Sequence, residues 1–218
     1  MIEARQHRFR PPKGAADLLL IRHGETQAAV RGESFPLVEG QGDPALHPDG
    51  EVQAIAVGHR LKTEPIQAIY VTTMQRTHQT AAPLSAHLGL EPRVERDLRE
   101  VFLGDWDGGE YRFRVMDKDP AFMRAKERQE WGEVPGAETT AELQARVKAG
   151  LLRIAHAHPD ELVAVVVHGG VIGAALAVAT GSPAFAFHGA ENGSVSRLVI
   201  QGDQMILRGF NDVSHLPA

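Results

Sequence analysis

The sequence predicts an α/β protein, a three-layer α/β/α sandwich around a central, mostly parallel sheet, and three observations carry that prediction. Short apolar runs at Leu18–Ile21, Gln67–Val71 and Leu162–Val167 alternate with amphipathic stretches, the rhythm of β-α-β units. The first and last of these runs are apolar throughout, as strands covered on both faces are. Each run also empties into a polar turn, the edge at which ligands of such sheets gather.

In chain order, Met1 to Lys13 is basic and polar, with four arginines and lysines. Residues 1–16 therefore read as a loosely ordered arm, and 17–218 as one domain, a size that a single core can serve. Leu18–Ile21 is the first strand. Gly32 to Pro48, rich in glycine and proline, is a long loop and a candidate pocket wall. Apolar spacing of three and four predicts helices over Pro48–Lys62, Gln75–Leu88, Thr139–Ala157 and Val171–Thr180. Thr72-Thr73 offers a hydroxyl to cap the second of these. Glu127 to Glu138, containing Val134-Pro135-Gly136, is a second irregular connection. Gly193–Ile200 and Gln204–Phe210 close the chain as a strand pair, with Gly202-Asp203 as the turn. The strand near 193–200 is expected at an edge, where it can pair in a homodimer.

Composition narrows the function classes. No stretch approaches the roughly 20 apolar residues of a membrane-spanning helix, and the N-terminus lacks the apolar core of a signal peptide. With no cysteine, disulfides, thiolate metal sites and a cysteine nucleophile are excluded. A net charge of −5 without a long basic block argues against nucleic acid as a partner. A cytoplasmic setting fits.

The chemistry-bearing residues lie at strand ends. Leu18–Ile21 runs into Arg22-His23-Gly24-Glu25-Thr26, a permanent cation beside an imidazole that is basic and nucleophilic near neutral pH. Leu162–Val167 runs into His168-Gly169-Gly170, where a helix start aims backbone N–H groups at an anion and the glycines allow close approach. Arg76, on the first turn of a helix after Val71, faces the same crevice. Glu100 sits in an apolar, glycine-punctuated segment, a setting suited to holding a proton for a leaving group. Read singly, each has an ordinary alternative: a hydrogen-bonded strand-end histidine, a solvated arginine, a surface acid beside Arg99.

Together these residues carry a resemblance. Arg22-His23-Gly24-Glu25-Thr26, Gly42-Asp43-Pro44-Ala45-Leu46 with Gly50 and Gln53-Ala54, Arg76 to Ala81, Leu98-Arg99-Glu100 with Gly104 to Gly108, Pro135 to Thr139, and Val167 to Gly170 resemble, in order, the motifs of the histidine phosphatase superfamily, also called phosphoglycerate mutase-like. The resemblance implies that His23 is the nucleophile that becomes a phosphohistidine, that Arg22, Arg76 and His168 grip phosphoryl oxygens, and that Glu100 is the proton donor. It implies metal-independent hydrolysis of a small phosphorylated substrate without a cofactor, and a rate that rises and falls with pH as the His23 and Glu100 pair titrates. Gly169 and Thr26 are expected at the substrate, and Arg99, Phe102, Tyr111, Arg112, Arg114 and Asn192 are candidates for its leaving-group side. Two positions depart from the motifs: Ala29 stands where many members have a phosphate-touching asparagine, and Thr72-Thr73 where Ser-Pro is usual.

Two further readings stay open. A phosphoglycerate mutase would use the same core with more cations for the substrate carboxylate, and here Tyr111-Arg112-Phe113-Arg114 is compact. A non-catalytic phospho-ligand binding module would have less need of Glu100. A metal site among the eleven histidines finds no convergent spacing: His156 and His158 lie two apart in a predicted helix and point away from one another.

Overall fold

The computed structural model describes residues 5–217. The chain runs through β1 (Ala16–Arg22), a miniature hairpin of β2 (Leu37–Val38) and β3 (Gln41–Gly42), α1 (Pro48–Leu61), β4 (Ile66–Val71), α2 (Gln75–Leu88), β5 (Arg93–Val94), α3 (Glu110–Met116), α4 (Pro120–Arg128), α5 (Thr140–Ala157), β6 (Leu162–Val167), α6 (Gly169–Thr180), β7 (Val195–Gln201) and β8 (Gln204–Asp212). The main sheet has six strands in the order β5-β4-β6-β1-β7-β8. β5, β4, β6 and β1 are parallel, and β7 and β8 close the sheet antiparallel.

Strand pleating sorts the apolar side chains of β1 between two cores. Leu18 and Leu20 pack with Val163, Val165 and Val167 against Leu143, Leu151, Ile154 and Ile172 of α5 and α6. Leu19 and Ile21 face the other way, with Ala164 and Val166, against Val57 and Leu61 of α1 and Leu84 of α2. Both faces of the central strands are thus covered, the sandwich expected from their unbroken apolar composition. Packing is close where α1 meets α2: a Cβ on Gly58 would lie 2.9 Å from Pro83 Cβ and 3.0 Å from the Leu84 nitrogen.

Several boundaries differ from the sequence-based expectation. β1 opens at Ala16, and Ala15 and Ala16 are buried, so the last residues assigned to the arm belong to the core. Residues 5–10 are exposed and without regular structure, though Phe9 lies under the Arg208 guanidinium at 3.8 Å. The strand expected at an edge, β7, is hydrogen-bonded on both sides, to β1 and to β8. The edge on that side is β8, so β7 offers no free backbone to a second copy. β5, α3 and α4 went unread in the sequence. β5 has two residues and no pattern of its own, and α3 has no buried residue to set a periodicity. Thr139 sits outside α5 as its N-cap, in a capping box with Glu142.

Candidate active site

Register places the site. Arg22 of β1 is paired with Val167 of β6. The next residue on each strand, His23 and His168, therefore emerges side by side; the His23 N–H donates to the Val167 carbonyl at 3.0 Å, and the rings meet edge to face at 5.1 Å. β4 lies on the other side of β6, and the residue after its last, Thr72, brings Oγ1 to 3.0 Å from His168 Nε2. Three adjacent parallel strands thus deliver a hydroxyl and two imidazoles to one edge.

His23 is held in one tautomer. Its Nδ1 lies 2.8 Å from the Gly24 carbonyl oxygen. A carbonyl can only accept, so Nδ1 carries the proton and Nε2 keeps its lone pair. Burial, then the guanidinium charges of Arg76 and Arg22, hold the His23 pKa well below the ordinary imidazole range. The result is a neutral ring with a free nitrogen between two cations. His168 is fully buried, and burial together with Arg76 depresses its pKa in the same way; its Nδ1 has no partner among the described residues.

Arg76 projects from the first turn of α2 and is 6% exposed. Its Nη1 donates to the Gly42 carbonyl at 3.0 Å and lies 3.5 Å from Asp43 Oδ1. The same Asp43 carboxylate accepts from the Gln75 N–H at 2.9 Å, so the start of α2 is held by an acid from a distant loop. The sequence assigned that cap to Thr72-Thr73. The structure shifts it: the N-cap is Met74 without a side-chain bond, and the Thr72 hydroxyl accepts from the Met74 N–H at 3.3 Å while lying 3.0 Å from His168 Nε2. Arg22 is anchored by Nη1 on the Ala190 carbonyl at 2.5 Å. Burial works against the charge of both arginines, and the Glu100 carboxylate works for it.

Glu100 reaches the site across the start of α6. Its Oε2 lies 3.4 Å from the Gly170 N–H, and Oε1 accepts from the Val101 N–H at 2.9 Å. The amide end expected to be free for an anion is thus partly engaged by the chain's own carboxylate. Its backbone is clamped from outside the site. Arg146 of α5 donates to the carbonyls of Asp97, Arg99 and Glu100 at 2.8, 2.7 and 2.9 Å. Glu138 pairs with Arg146 and accepts from the Phe102 N–H at 2.8 Å, while Gln41 Nε2 donates to the Glu100 carbonyl at 2.7 Å.

A cavity of about 620 Å³ is lined by Arg22, His23, Thr26, Arg76, Glu100, Tyr111, Arg112, Gly169 and Asn192, while His168 lies fully buried behind His23 and does not line it. Asn192 Nδ2 donates to the His23 carbonyl at 2.9 Å. Thr26 Oγ1 accepts from Arg112 Nη2 at 2.5 Å. Burial, then Glu100, pushes the Tyr111 hydroxyl pKa up to about 12. Arg99 is corrected: its guanidinium pairs with Glu39 and faces a separate hollow beside Arg96 and Arg146, with Phe102. Arg114 lies outside the cavity as well, paired with Glu110 and Asp119. In both cases a nearby carboxylate captured the cation. Ala29 lines the cavity, as do the amide side chains of Gln41 and Asn192. Sequence reasoning missed Gln41, Asp107, Arg146 and His188. Arg146 left only the signal of a cation on the helix after the Glu138 motif. Among the described residues, no group of three or more His, Asp or Glu converges in a way that could hold a metal ion, and no helix is long and apolar enough to cross a membrane.

An imidazole with an unprotonated nitrogen near two arginines, at the C-terminal edge of a mostly parallel sheet, is an arrangement suited to phosphoryl transfer. Residues 18–213 match the histidine phosphatase superfamily (branch 1), and the chain belongs to that family. It is 32% identical over 205 residues to phosphoglycerate mutase-like protein 4 of Arabidopsis thaliana, covering 92% of this chain and 87% of the relative. It is 30% identical over 216 residues to a probable phosphoglycerate mutase of Salmonella choleraesuis, covering 91% and 94%. Among solved structures, a mycobacterial glucosyl-3-phosphoglycerate phosphatase superposes with a TM-score of 0.72 at 28% identity, covering 90% of this chain and 99% of that one.

Proposed function

We propose that the protein hydrolyses phosphate monoesters through a phosphohistidine on His23. The observation that carries this reading is the bond from His23 Nδ1–H to the Gly24 carbonyl, which leaves Nε2 as a neutral nucleophile between Arg22 and Arg76. In the first step the Nε2 lone pair forms a bond to phosphorus as the ester P–O bond breaks. Glu100 gives its proton to the departing alkoxide oxygen. The transferring group spreads its charge over three equatorial oxygens; the Arg22 and Arg76 guanidinium groups neutralise it, and neutral His168 donates a hydrogen bond to it. For His168 this requires the Thr72 hydroxyl to donate to Nε2, so that Nδ1 carries the hydrogen toward the phosphoryl group. In the second step a water oxygen attacks phosphorus, its proton passes to the Glu100 carboxylate, and the P–N bond returns its electrons to Nε2.

The names of the relatives favour a second reading, a mutase that passes the phosphoryl group to another hydroxyl of phosphoglycerate. Against it, Arg112 is the one cation lining the cavity beyond Arg22 and Arg76 among the described residues, because Arg99 and Arg114 are turned away. Hydrolysis of p-nitrophenyl phosphate in EDTA, abolished in His23→Ala, is the expected result. Interconversion of phosphoglycerates without net phosphate release would instead establish the mutase.

A further inference from the structure

We propose that the alcohol half of the substrate is a bulky, uncharged, apolar group. This rests on the reading of the site as a phosphomonoesterase, and three features of the cavity outside the phosphoryl well point to it. The first is the wall. Phe35, Trp106, Tyr111, Phe113, Met116 and Trp131 surround the space beyond His23. Met116 is 65% exposed at its rim, an apolar surface that a ligand of like character would cover.

The second is charge. With Arg22 and Arg76 committed to the phosphoryl group, an anionic leaving group would be left with Arg112. That guanidinium already donates to Thr26 Oγ1 and to the Gln27 carbonyl at 2.7 Å, lies 5.2 Å from the Phe35 ring centre, and is opposed by Glu25. A carboxylate or second phosphate would therefore meet a partly neutralised cation near Glu25, in a cavity that Glu25 and Asp107 also line.

The third is where the polar side chains point. Asp107 accepts from the Leu103 N–H at 2.8 Å and the Gly42 N–H at 3.1 Å. Gln41 Nε2 is directed at the Glu100 and Val101 carbonyls, and Asn192 Nδ2 at the His23 carbonyl. The amide donors of Gln41 and Asn192 and the Asp107 carboxylate, which could have read the hydroxyls of a sugar, are thus directed at the protein itself, with Gln41 Oε1 left unpartnered, and a polyhydroxylated alcohol would lose water with few matching partners.

The test compares primary alkyl esters, so that intrinsic leaving-group reactivity is matched: 2-phenylethyl phosphate against glycerol 3-phosphate and 3-phosphoglycerate. The expected result is a kcat/KM at least about tenfold higher for the phenylethyl ester, since even one methylene in an apolar pocket discriminates by about that much. Met116→Glu and Phe113→Ser should each reduce that preference, losing more on the phenylethyl ester than on glycerol 3-phosphate. Turnover with equal or greater preference for 3-phosphoglycerate would overturn the inference while leaving the phosphatase reading intact. Failure to release phosphate from any ester would sink the phosphatase reading. Equilibrium competition among the same three esters would then still decide the inference, with tighter binding of the phenylethyl ester supporting it and equal or weaker binding overturning it.

Discussion

Gly170 makes room for the Glu100 carboxylate: a Cβ at position 170 would lie 2.6 Å from Oε1, closer than real Cβ contacts allow. The two residues are separated by 70 positions in the chain and meet because the backbone N–H of Gly170 lies 3.4 Å from Oε2. The glycine is needed here for space, since its backbone is helical and any residue could adopt it.

Gly170→Ala should therefore displace the acid and spare the phosphoryl well. The expected outcome is a fall in kcat of at least about tenfold, with the inhibition constant for inorganic phosphate changed much less. Steady-state kinetics with phosphate as inhibitor check it. Equal losses in both would mean that the methyl disturbs the whole site.

If Glu100 gives a proton to the leaving oxygen, its replacement matters in proportion to how badly that oxygen needs one. Glu100→Gln should lower kcat/KM, which reports the step that releases the alcohol, on alkyl phosphates by roughly 10²–10⁴, the usual worth of general acid catalysis. On p-nitrophenyl phosphate, whose leaving group departs as a stable anion, the loss should be far smaller. A uniform loss across a series of leaving groups would contradict the assignment.

Arg146 acts at one remove. It does not line the cavity, yet it holds three carbonyls of the backbone that carries Glu100. Arg146→Met keeps the aliphatic length and removes the donors, leaving the half-buried Asp97 and Arg99 carbonyls without this partner, while Gln41 still serves that of Glu100, at about 1–3 kcal/mol of stability. Its kinetic signature should be a kcat/KM loss concentrated on poor leaving groups, as for Glu100→Gln. A loss independent of leaving group would mark a merely structural residue.

The buried histidines fix a direction for pH dependence. His23 and His168 are both held neutral in the fold, with pKa values well below the ordinary value of about 6.5 that they regain on unfolding. Below about pH 6.5 the unfolded chain binds protons that the folded one does not, so stability is full above that pH and falls as pH drops, by about 1.4 kcal/mol per pH unit for each histidine. Thermal unfolding between pH 7.5 and 5 should show this slope, and His168→Asn should reduce it. The acid limb of kcat/KM should also lie below about pH 6.5, since His23 stays unprotonated to lower pH.

Much of this was legible in the chain. Leu18–Ile21 and Leu162–Val167 announced central strands, and the histidines that follow them were placed at one edge because parallel strands end together. What strand composition could not give was order. That β7 lies inside the sheet depends on β8 pairing beyond it, and a strand's own residues do not record its neighbours. Side-chain partners across long separations were equally hidden. Arg99 and Arg112 look alike in sequence, but Glu39 captures one and Thr26 the other, so only Arg112 faces the cavity. Thr72 was read through the helix that follows it, while its hydroxyl serves a histidine 96 residues away.

The central claim is the covalent intermediate on His23, and the most direct measurement is rapid alkaline quenching of the enzyme during turnover, followed by mapping of any added phosphoryl group. The account predicts a base-stable, acid-labile phosphoryl group on His23, formed at least as fast as turnover and absent from His23→Ala. Turnover with no labelled residue, or with the label on another side chain formed at a competent rate, would contradict it.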